Sequence, residues 1–361
     1  MFSIVDKMVQ LDFPLGHHLH CMISQLPNHI RFEHETEPQR INTEKWQRIQ
    51  SVLELVAQGE GNLKKLHFLL FPEATLPVEH FDEALAIIQQ RFCANTVTMF
   101  GMEHMPLHAF NRLVERYADD NREMLDAIEK DRNSGDIDNL RVNWAAIIVK
   151  ENSGRLRIFL QAKSHPFAGE ESLDNRDLYH GKIFPLFRSE PTGFNFMAMI
   201  CFDINTVIQH ANELFFSTRQ HLDFLAILEC NPKPEHATFR DVTNGFYGEY
   251  LAATPGVRET ITAFCNSAEA TRDSLPQTSP QDTFGHSSVL IHKNHKMAPR
   301  KPVCRLRFGA DSRLYYFNLP VFHEFDPRTT RMPLKVHSIF APDASGGWQR
   351  INFSPVDTDN E

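Results

Sequence analysis

Short apolar runs alternate along this chain with stretches whose apolar residues recur every three or four positions. That alternation predicts strands and helices layered in an α/β fold. Residues 21–26 read as a first strand. Residues 42–56 read as a helix with Thr43 as its cap and Trp46, Ile49, Val52, Leu53 and Val56 on one face. A strand at 66–70, a helix at 81–92 and a strand at 96–101 follow. Residues 106–140 are rich in charge, with Leu107, Phe110, Val114, Tyr117, Met124 and Ile128 at helical intervals. They predict one or two amphipathic surface helices, closed by Asn133-Ser134-Gly135-Asp136. Residues 143–150 and 156–163 form a hairpin around the turn Glu151-Asn152-Ser153-Gly154. A buried strand at 194–201 runs into a helical stretch at 205–219, then a strand at 224–228. A helix at 239–252, a strand at 260–266 and late strands at 287–293 and 305–319 complete the pattern, with a Ser/Pro/Gln/Thr-rich loop at 274–283. Residues 1–20 stand outside it as an N-terminal extension, and 320–361 as a tail wrapping the domain, its last residues disordered.

Three of the apolar runs end on side chains that carry chemistry. Leu66 to Leu70 leads into Phe71-Pro72-Glu73, and Leu156 to Leu160 into Gln161-Ala162-Lys163-Ser164-His165-Pro166. Phe194 to Ile200 leads into Cys201-Phe202-Asp203. One carboxylate, one ammonium and one thiol therefore follow in order, each at a strand end.

Composition narrows the classes. At 361 residues and 42% hydrophobic, the chain can build a sizeable core. A net charge of -9 argues against nucleic-acid or anionic-membrane binding, although the 19 histidines soften it as pH falls. The six cysteines include no CxxC pair, which excludes a zinc ribbon or a thioredoxin motif and fits a reducing cytosol. Asp6, Lys7 and Asp12 interrupt the apolar clusters near the N-terminus, unlike a signal peptide, and no apolar run approaches the ~20 residues that span a bilayer. The expectation is a cytoplasmic protein. Neither a GxGxxG nor a GxxxxGK[ST] motif occurs, so no cofactor is implied. The run His17-His18-Leu19-His20-Cys21 reads as a solvated strand entry rather than a metal site, and no metal is expected.

In order, spacing and flanks the three strand ends resemble the Glu–Lys–Cys triad of the nitrilase, or carbon–nitrogen hydrolase, superfamily. The resemblance covers roughly 21–319 as an order of elements and is sharp only at the three islands, the asparagine-led hairpin from Asn143 to Lys163, and His165. It implies an α/β fold of the four-layer αββα type, two central sheets with helices outside, as one domain with 106–140 an inserted helical segment. It also implies a homodimer or higher homo-oligomer. The family often carries a second acid shortly after the lysine; Glu170 and Glu171 both lie there, and the sequence does not choose between them. Where relatives follow the cysteine motif with an arginine that binds a substrate carboxylate, this chain has Ile204-Asn205-Thr206-Val207, which speaks against an α-carboxylate substrate.

These residue types suit cleavage of a carbon–nitrogen bond through a thioester. A thiolate is the strongest ordinary nucleophile, but a free thiol holds its proton up to about pH 8.5. Glu73 would take that proton and hand it to the leaving nitrogen. Lys163 and the backbone N–H of Phe202 would face the oxyanion, one such donor contributing about 3–4 kcal/mol. Glu229 and Asn231, past the strand at 224–228, are candidate pocket liners with Cys230 between them, and Asp203 reads as a structural carboxylate at a helix start. A small-molecule amide or carbamoyl substrate is expected ahead of a nitrile, because Phe202 stands where true nitrilases commonly carry Trp. The chain also admits a second reading, a nitrilase-like binding or regulatory module of a larger system such as a reverse-transcriptase-associated defence system, suggested by the N-terminus, the 106–140 segment and the long tail.

Overall fold

A computed structural model describes residues 2–13, 18–30, 38–165, 178–205, 222–231, 260–272, 285–292, 304–319 and 334–351. Its strands are β1 (Ser3–Leu11), β2 (Leu19–Gln25), β3 (Pro27–Ile30), β4 (Phe68–Leu70), β5 (Thr96–Pro106), β6 (Arg141–Lys150), β7 (Leu156–Ala162), β8 (Ile183–Pro191) and β9 (Asn195–Ile200). They continue with β10 (Phe224–Glu229), β11 (Thr260–Asn266), β12 (Glu269–Arg272), β13 (Ser288–His292), β14 (Cys304–Arg307), β15 (Arg313–Leu319), β16 (Val336–Pro342) and β17 (Trp348–Ile351). The helices are α1 (Pro38–Gln58), α2 (Phe81–Arg91), α3 (Leu107–Arg116) and α4 (Ala118–Arg132). Eight strands form one sheet in the order β17-β16-β15-β2-β4-β5-β6-β7. Seven form another in the order β1-β8-β9-β10-β11-β13-β14, and β3 pairs with β12 apart from both.

The two sheets face each other because their strands are apolar on both sides. Along β9, Phe196, Ala198 and Ile200 point between the sheets while Met197 and Met199 point outward, the period of two that a pleated strand imposes. A fully buried strand therefore shows a continuous apolar run, not alternation with polar residues. Phe68 is the pin of this layer: its ring lies 5.2 Å from that of Phe196 and 4.9 Å from that of Phe224, edge to face. Phe159 meets Phe187 in the same way at 4.9 Å.

The outer face of the eight-stranded sheet carries Leu69, Phe100, Trp144, Ile148 and Leu160, and the helices bury their apolar stripes there. Trp46, Ile49, Val52, Leu53 and Val56 of α1 are all in this cluster, as are Leu107, Phe110 and Val114 of α3 and Met124 and Ile128 of α4. The charge-rich segment is thus two helices with one buried face each. On the outer face of the seven-stranded sheet, Phe184, Met197, Met199, Leu225 and Ile227 form a third cluster with Ile204 and Leu222. The helices expected at 205–219, beyond its first residue, and at 239–252 fall outside the described residues, as does the loop at 274–283.

Three regions differ from the sequence-based expectation. Ser3–Leu11 is a strand, parallel to β8 over its whole length. β8 itself carries Pro185, which lacks an N–H and masks a strand in sequence. Its only described pairing with β9 is at Phe187 and Arg188, so Pro185 is not asked to donate on that side. Second, the apolar run at 305–319 is two strands in different sheets. Gly309-Ala310-Asp311-Ser312 breaks it, and the chain crosses there from β14 in one sheet to β15 in the other. Third, within the segment read as a tail, β16 and β17 pair antiparallel and extend the eight-stranded sheet beyond β15. No described helix is long and apolar enough to cross a membrane.

A histidine cluster fastens this extension. The ring of His20 stacks on Tyr316 at 5.5 Å and on His67 at 5.8 Å, with His337 of β16 at 5.2 Å. The backbone N–H of His20 donates to His67 Nδ1 at 3.0 Å, which requires that nitrogen to be unprotonated. Burial and then the neighbouring imidazoles hold both rings neutral: His67 is lowered to about 3 and His20 to about 4. In the unfolded chain both would take a proton near pH 6.5. Between those values the unfolded state binds more protons, so stability is full above pH ~6.5 and falls as pH drops towards 4. Thermal unfolding across that window should show Tm falling with acidification in the wild type, and falling less steeply in a His67→Phe variant.

Candidate active site

The three strand ends singled out by sequence lie at one end of the sandwich. Glu73 follows β4, Lys163 follows β7 and Cys201 follows β9. β6 and β7 form the predicted hairpin, in a register that pairs Trp144 with Ala162 and sets Asn143 opposite Lys163, whose N–H donates to the Asn143 carbonyl at 2.8 Å. Along β6, Ala145, Ile147 and Val149 face the space between the sheets, so the same period places Asn143 on that face. Both side chains converge on Glu73. Lys163 Nζ donates to Glu73 Oε1 at 2.7 Å and Asn143 Nδ2 to the same oxygen at 2.8 Å. The other oxygen, Oε2, accepts the backbone N–H of Cys230 at 3.1 Å. All four residues are buried, with Lys163 only 2% exposed. A buried carboxylate held by one ammonium and two N–H donors keeps its orientation, since charge-assisted bonds are the strong ones in a dry site.

Cys201 sits where β9 turns. Its N–H continues the parallel ladder, donating to the Leu228 carbonyl of β10 at 2.8 Å. Its φ is then +46°, in the left-handed region that disfavours side chains other than Gly and Asn, a conformation costing about 1–3 kcal/mol. The turn is held by Asp203, fully buried, whose Oδ1 accepts the Ser164 N–H at 2.8 Å, the Ser164 hydroxyl at 3.0 Å and the His165 N–H at 2.8 Å. Oδ2 accepts the Ile200 N–H at 3.3 Å. Asp203 thus ties the residue before the thiol to the residues after Lys163. Burial raises its pKa to about 6, against the opposing pull of Lys163 and of these donors. Sequence placed it as a structural carboxylate, and the structure gives it the task of joining the two sheets at this point.

The remaining predicted residues take varied places. Phe202 is half-buried, its ring 5.1 Å from that of His165. Glu229 ends β10 and is 1% exposed; burial and then the charge of Glu73 push its carboxyl well above the usual range, towards the neutral form. Its Oε1 has no hydrogen-bond partner among the described residues. Asn231 is fixed through its backbone: its N–H donates to Asn266 Oδ1 and its carbonyl accepts Asn266 Nδ2, both at 2.9 Å. Glu170 and Glu171 lie outside the described residues. Sequence reasoning did not assign a role to Asn143 or to the Cys230 amide. The first had a signal, because counting outward from the hairpin turn pairs it with Lys163. The second depends on a tertiary contact and had none. Among the described residues no cluster of three His, Cys, Asp or Glu side chains is arranged to hold a metal.

Comparison with known proteins adds a likeness of shape. No protein family profile and no curated protein matches the chain. A CN-hydrolase superfamily protein from Xanthomonas campestris, solved with an arsenic adduct in its active site, overlays with a TM-score of 0.47 at 10% identity, covering 84% of this chain and 91% of that one. An amidase of the nitrilase superfamily from Nesterenkonia overlays at 0.48 and 12% identity, covering 85% and 92%. A carbon-nitrogen hydrolase from Helicobacter pylori does so at 0.48 and 12%, covering 83% and 88%.

Asp203 supplies the sharpest test of how the site is held. Asp203→Ala strands three buried or half-buried backbone N–H groups and one hydroxyl, and should cost roughly 3 kcal/mol of stability. Asp203→Asn keeps one acceptor oxygen and should cost clearly less. Urea unfolding of the two variants against wild type measures the difference.

Proposed function

We propose that the chain is a hydrolase of the nitrilase type that cleaves a non-peptide carbon–nitrogen bond, an amide or carbamoyl group ahead of a nitrile, through a thioester on Cys201. The observation that carries this reading is the buried Lys163–Glu73 contact of 2.7 Å, joined by the Asp203 bridge to a cysteine at φ +46°. A core ion pair alone would not call for a strained cysteine at the same end of the sandwich, and backbone strain concentrates where chemistry is done.

In this reading Glu73 takes the Cys201 S–H proton and the thiolate attacks the substrate carbonyl carbon. The carbonyl π pair moves to oxygen, where the Lys163 ammonium and the Phe202 N–H stabilise it. The adduct collapses, the carbon–nitrogen bond breaks, and Glu73 returns its proton to the leaving nitrogen. Water then attacks the thioester with Glu73 as base, the carbon–sulfur bond breaks, and the proton returns to sulfur. The charge of Lys163 never leaves the site, which holds the Glu73 carboxyl in place before attack and lowers the cost of the oxyanion after it. Glu229, pushed towards its neutral form and unpartnered at Oε1, is suited to donate to a neutral acceptor on the substrate. It is unsuited to contact a cation, and with no arginine in the segment Ile204-Asn205-Thr206-Val207 this favours an uncharged acyl group.

Intact-protein mass spectrometry with p-nitrophenyl acetate and with a panel of small amides tests this. An acyl adduct on wild type, mapped to Cys201 and absent in Cys201→Ala, is expected. Glu73→Gln should slow its formation by about 100-fold or more, the range typical of losing a general base. An adduct on another cysteine, or none with any donor, would overturn the reading.

A further inference from the structure

The carboxylate of Glu73 is aimed by its backbone as well as by its side-chain partners, and that backbone is under strain. Ala74, the next residue, has φ +53°, an unfavourable value for a residue with a Cβ. Two features accommodate it. Gly101 of β5 lies so close that a Cβ there would sit 2.2 Å from the Pro72 carbonyl oxygen and 2.3 Å from Glu73 Cα, and its own carbonyl accepts the N–H groups of Thr75 at 2.8 Å and Leu76 at 3.0 Å. The carbonyls of the turn also receive buried side-chain donors: Asn28 Nδ2 donates to Glu73 O at 2.8 Å, and Lys45 Nζ to Ala74 O at 2.9 Å.

Lys45 is the unusual member. It comes from α1, on the far side of the eight-stranded sheet from the thiol, and its side chain is 2% exposed. Besides Ala74 O, its ammonium donates to His29 O at 3.0 Å and to Glu103 Oε1 at 2.6 Å. Each of these three described contacts is to an oxygen acceptor, and an ammonium has three N–H groups to give. Glu103 is equally fixed: its N–H donates to Leu76 O at 3.1 Å and its carbonyl accepts Trp144 Nε1 at 2.9 Å. Burying two charges is a poor source of net stability, because desolvation offsets most of the attraction. A pair that does little for stability yet grips the residue beside the general base has another use.

Resting on the function proposed above, we infer that the Lys45–Glu103 pair is a positioning device for Glu73: it holds the left-handed Ala74 carbonyl and so sets the direction in which the Glu73 carboxylate leaves the turn. Lys45 does not touch the reacting atoms. Its loss lets the turn relax, and Glu73 then meets the thiol at the wrong distance and angle. A misplacement of about 1 Å is enough to cost about 100-fold in rate.

The full-length protein carries a built-in control. Lys150 is likewise buried and donates to three carbonyls, those of Ile88 at 3.1 Å, Gln89 at 2.7 Å and Phe92 at 2.7 Å, but these close the end of α2 and lie in no contact with the site. Four variants are compared with wild type: Lys45→Met, Glu103→Gln, the double variant Lys45→Met/Glu103→Leu, and Lys150→Met. The readouts are melting temperature, the rate of Cys201 acylation by p-nitrophenyl acetate, and the pH profile of Cys201 alkylation by iodoacetamide followed by peptide mass spectrometry. Lys45→Met should lower acylation about 100-fold and move the alkylation profile towards that of an ordinary thiol. Glu103→Gln keeps an acceptor for Lys45 and should stay within several-fold of wild type. The double variant removes the stranded charge and should recover melting temperature without recovering rate. Lys150→Met should lose stability and keep both the acylation rate and the profile. Wild-type acylation in the double variant would overturn the inference alone, as would an equal rate loss in Lys150→Met. Failure of the wild type itself to acylate would overturn the function on which it rests.

Discussion

A carboxylate taken out of water must be surrounded by donors or give up its charge, and the position of Glu73 answers that constraint with groups from four separate parts of the chain. Lys163 and Asn143 arrive from the two arms of one hairpin and the Cys230 amide from the opposite sheet, while Asn28 holds the carbonyl behind it. None of these donors can be met unless β4, β6, β7 and β10 are all in register. Registers in turn are enforced by the layer between the sheets, where a slip of one residue would turn Phe68, Phe159 and Phe196 outward and break their ring contacts. The core thus does more than stabilise the sandwich. It delivers four strand ends to one point with the tolerance that a buried ionic contact requires.

The opposite sheet contributes the thiol through a different device. Cys201 is strained, and the strain is held in place by Asp203, which reaches across to the amides of Ser164 and His165. The same carboxylate therefore fixes the turn of Cys201 and the chain leaving Lys163. Two buried acids at this end of the sandwich take different parts here. Glu73 accepts Lys163 directly, and Glu229, deeper and without such a contact, is pushed towards its neutral form by burial and by Glu73 itself.

Much of this was legible in the sequence, and the reasons are specific. The ends of β4, β7 and β9 could be read because each strand is buried on both faces, and a continuous apolar run stops abruptly where the chain turns to carry a polar side chain. The hairpin could be read because its turn chemistry is local. The stripes of α1, α3 and α4 could be read because the helical period survives a charged surface face. What stayed hidden depends on partners far away in sequence. β1 looks like an extension because Asp6, Lys7 and Gln10 interrupt it; only its parallel pairing with β8 makes it a strand. β8 is masked by Pro185. The run at 305–319 looks like one strand because nothing in a hydrophobicity pattern says that the chain changes sheets at Gly309. Lys45 carries no signal in the sequence, since a lysine on an amphipathic helix is nearly always solvated, and its burial follows from the carbonyls it meets on β3 and at Ala74.

The central claim is that Lys163 and the Phe202 amide face the same oxygen of an acyl group carried by Cys201. A crystal structure of the protein with its thioester trapped, in a Glu73→Gln background to slow hydrolysis, measures this most directly. The account predicts an acyl carbonyl oxygen about 2.7–3.1 Å from both Lys163 Nζ and the Phe202 nitrogen. An acyl oxygen turned away from both donors, with Lys163 too far to reach it, would contradict it.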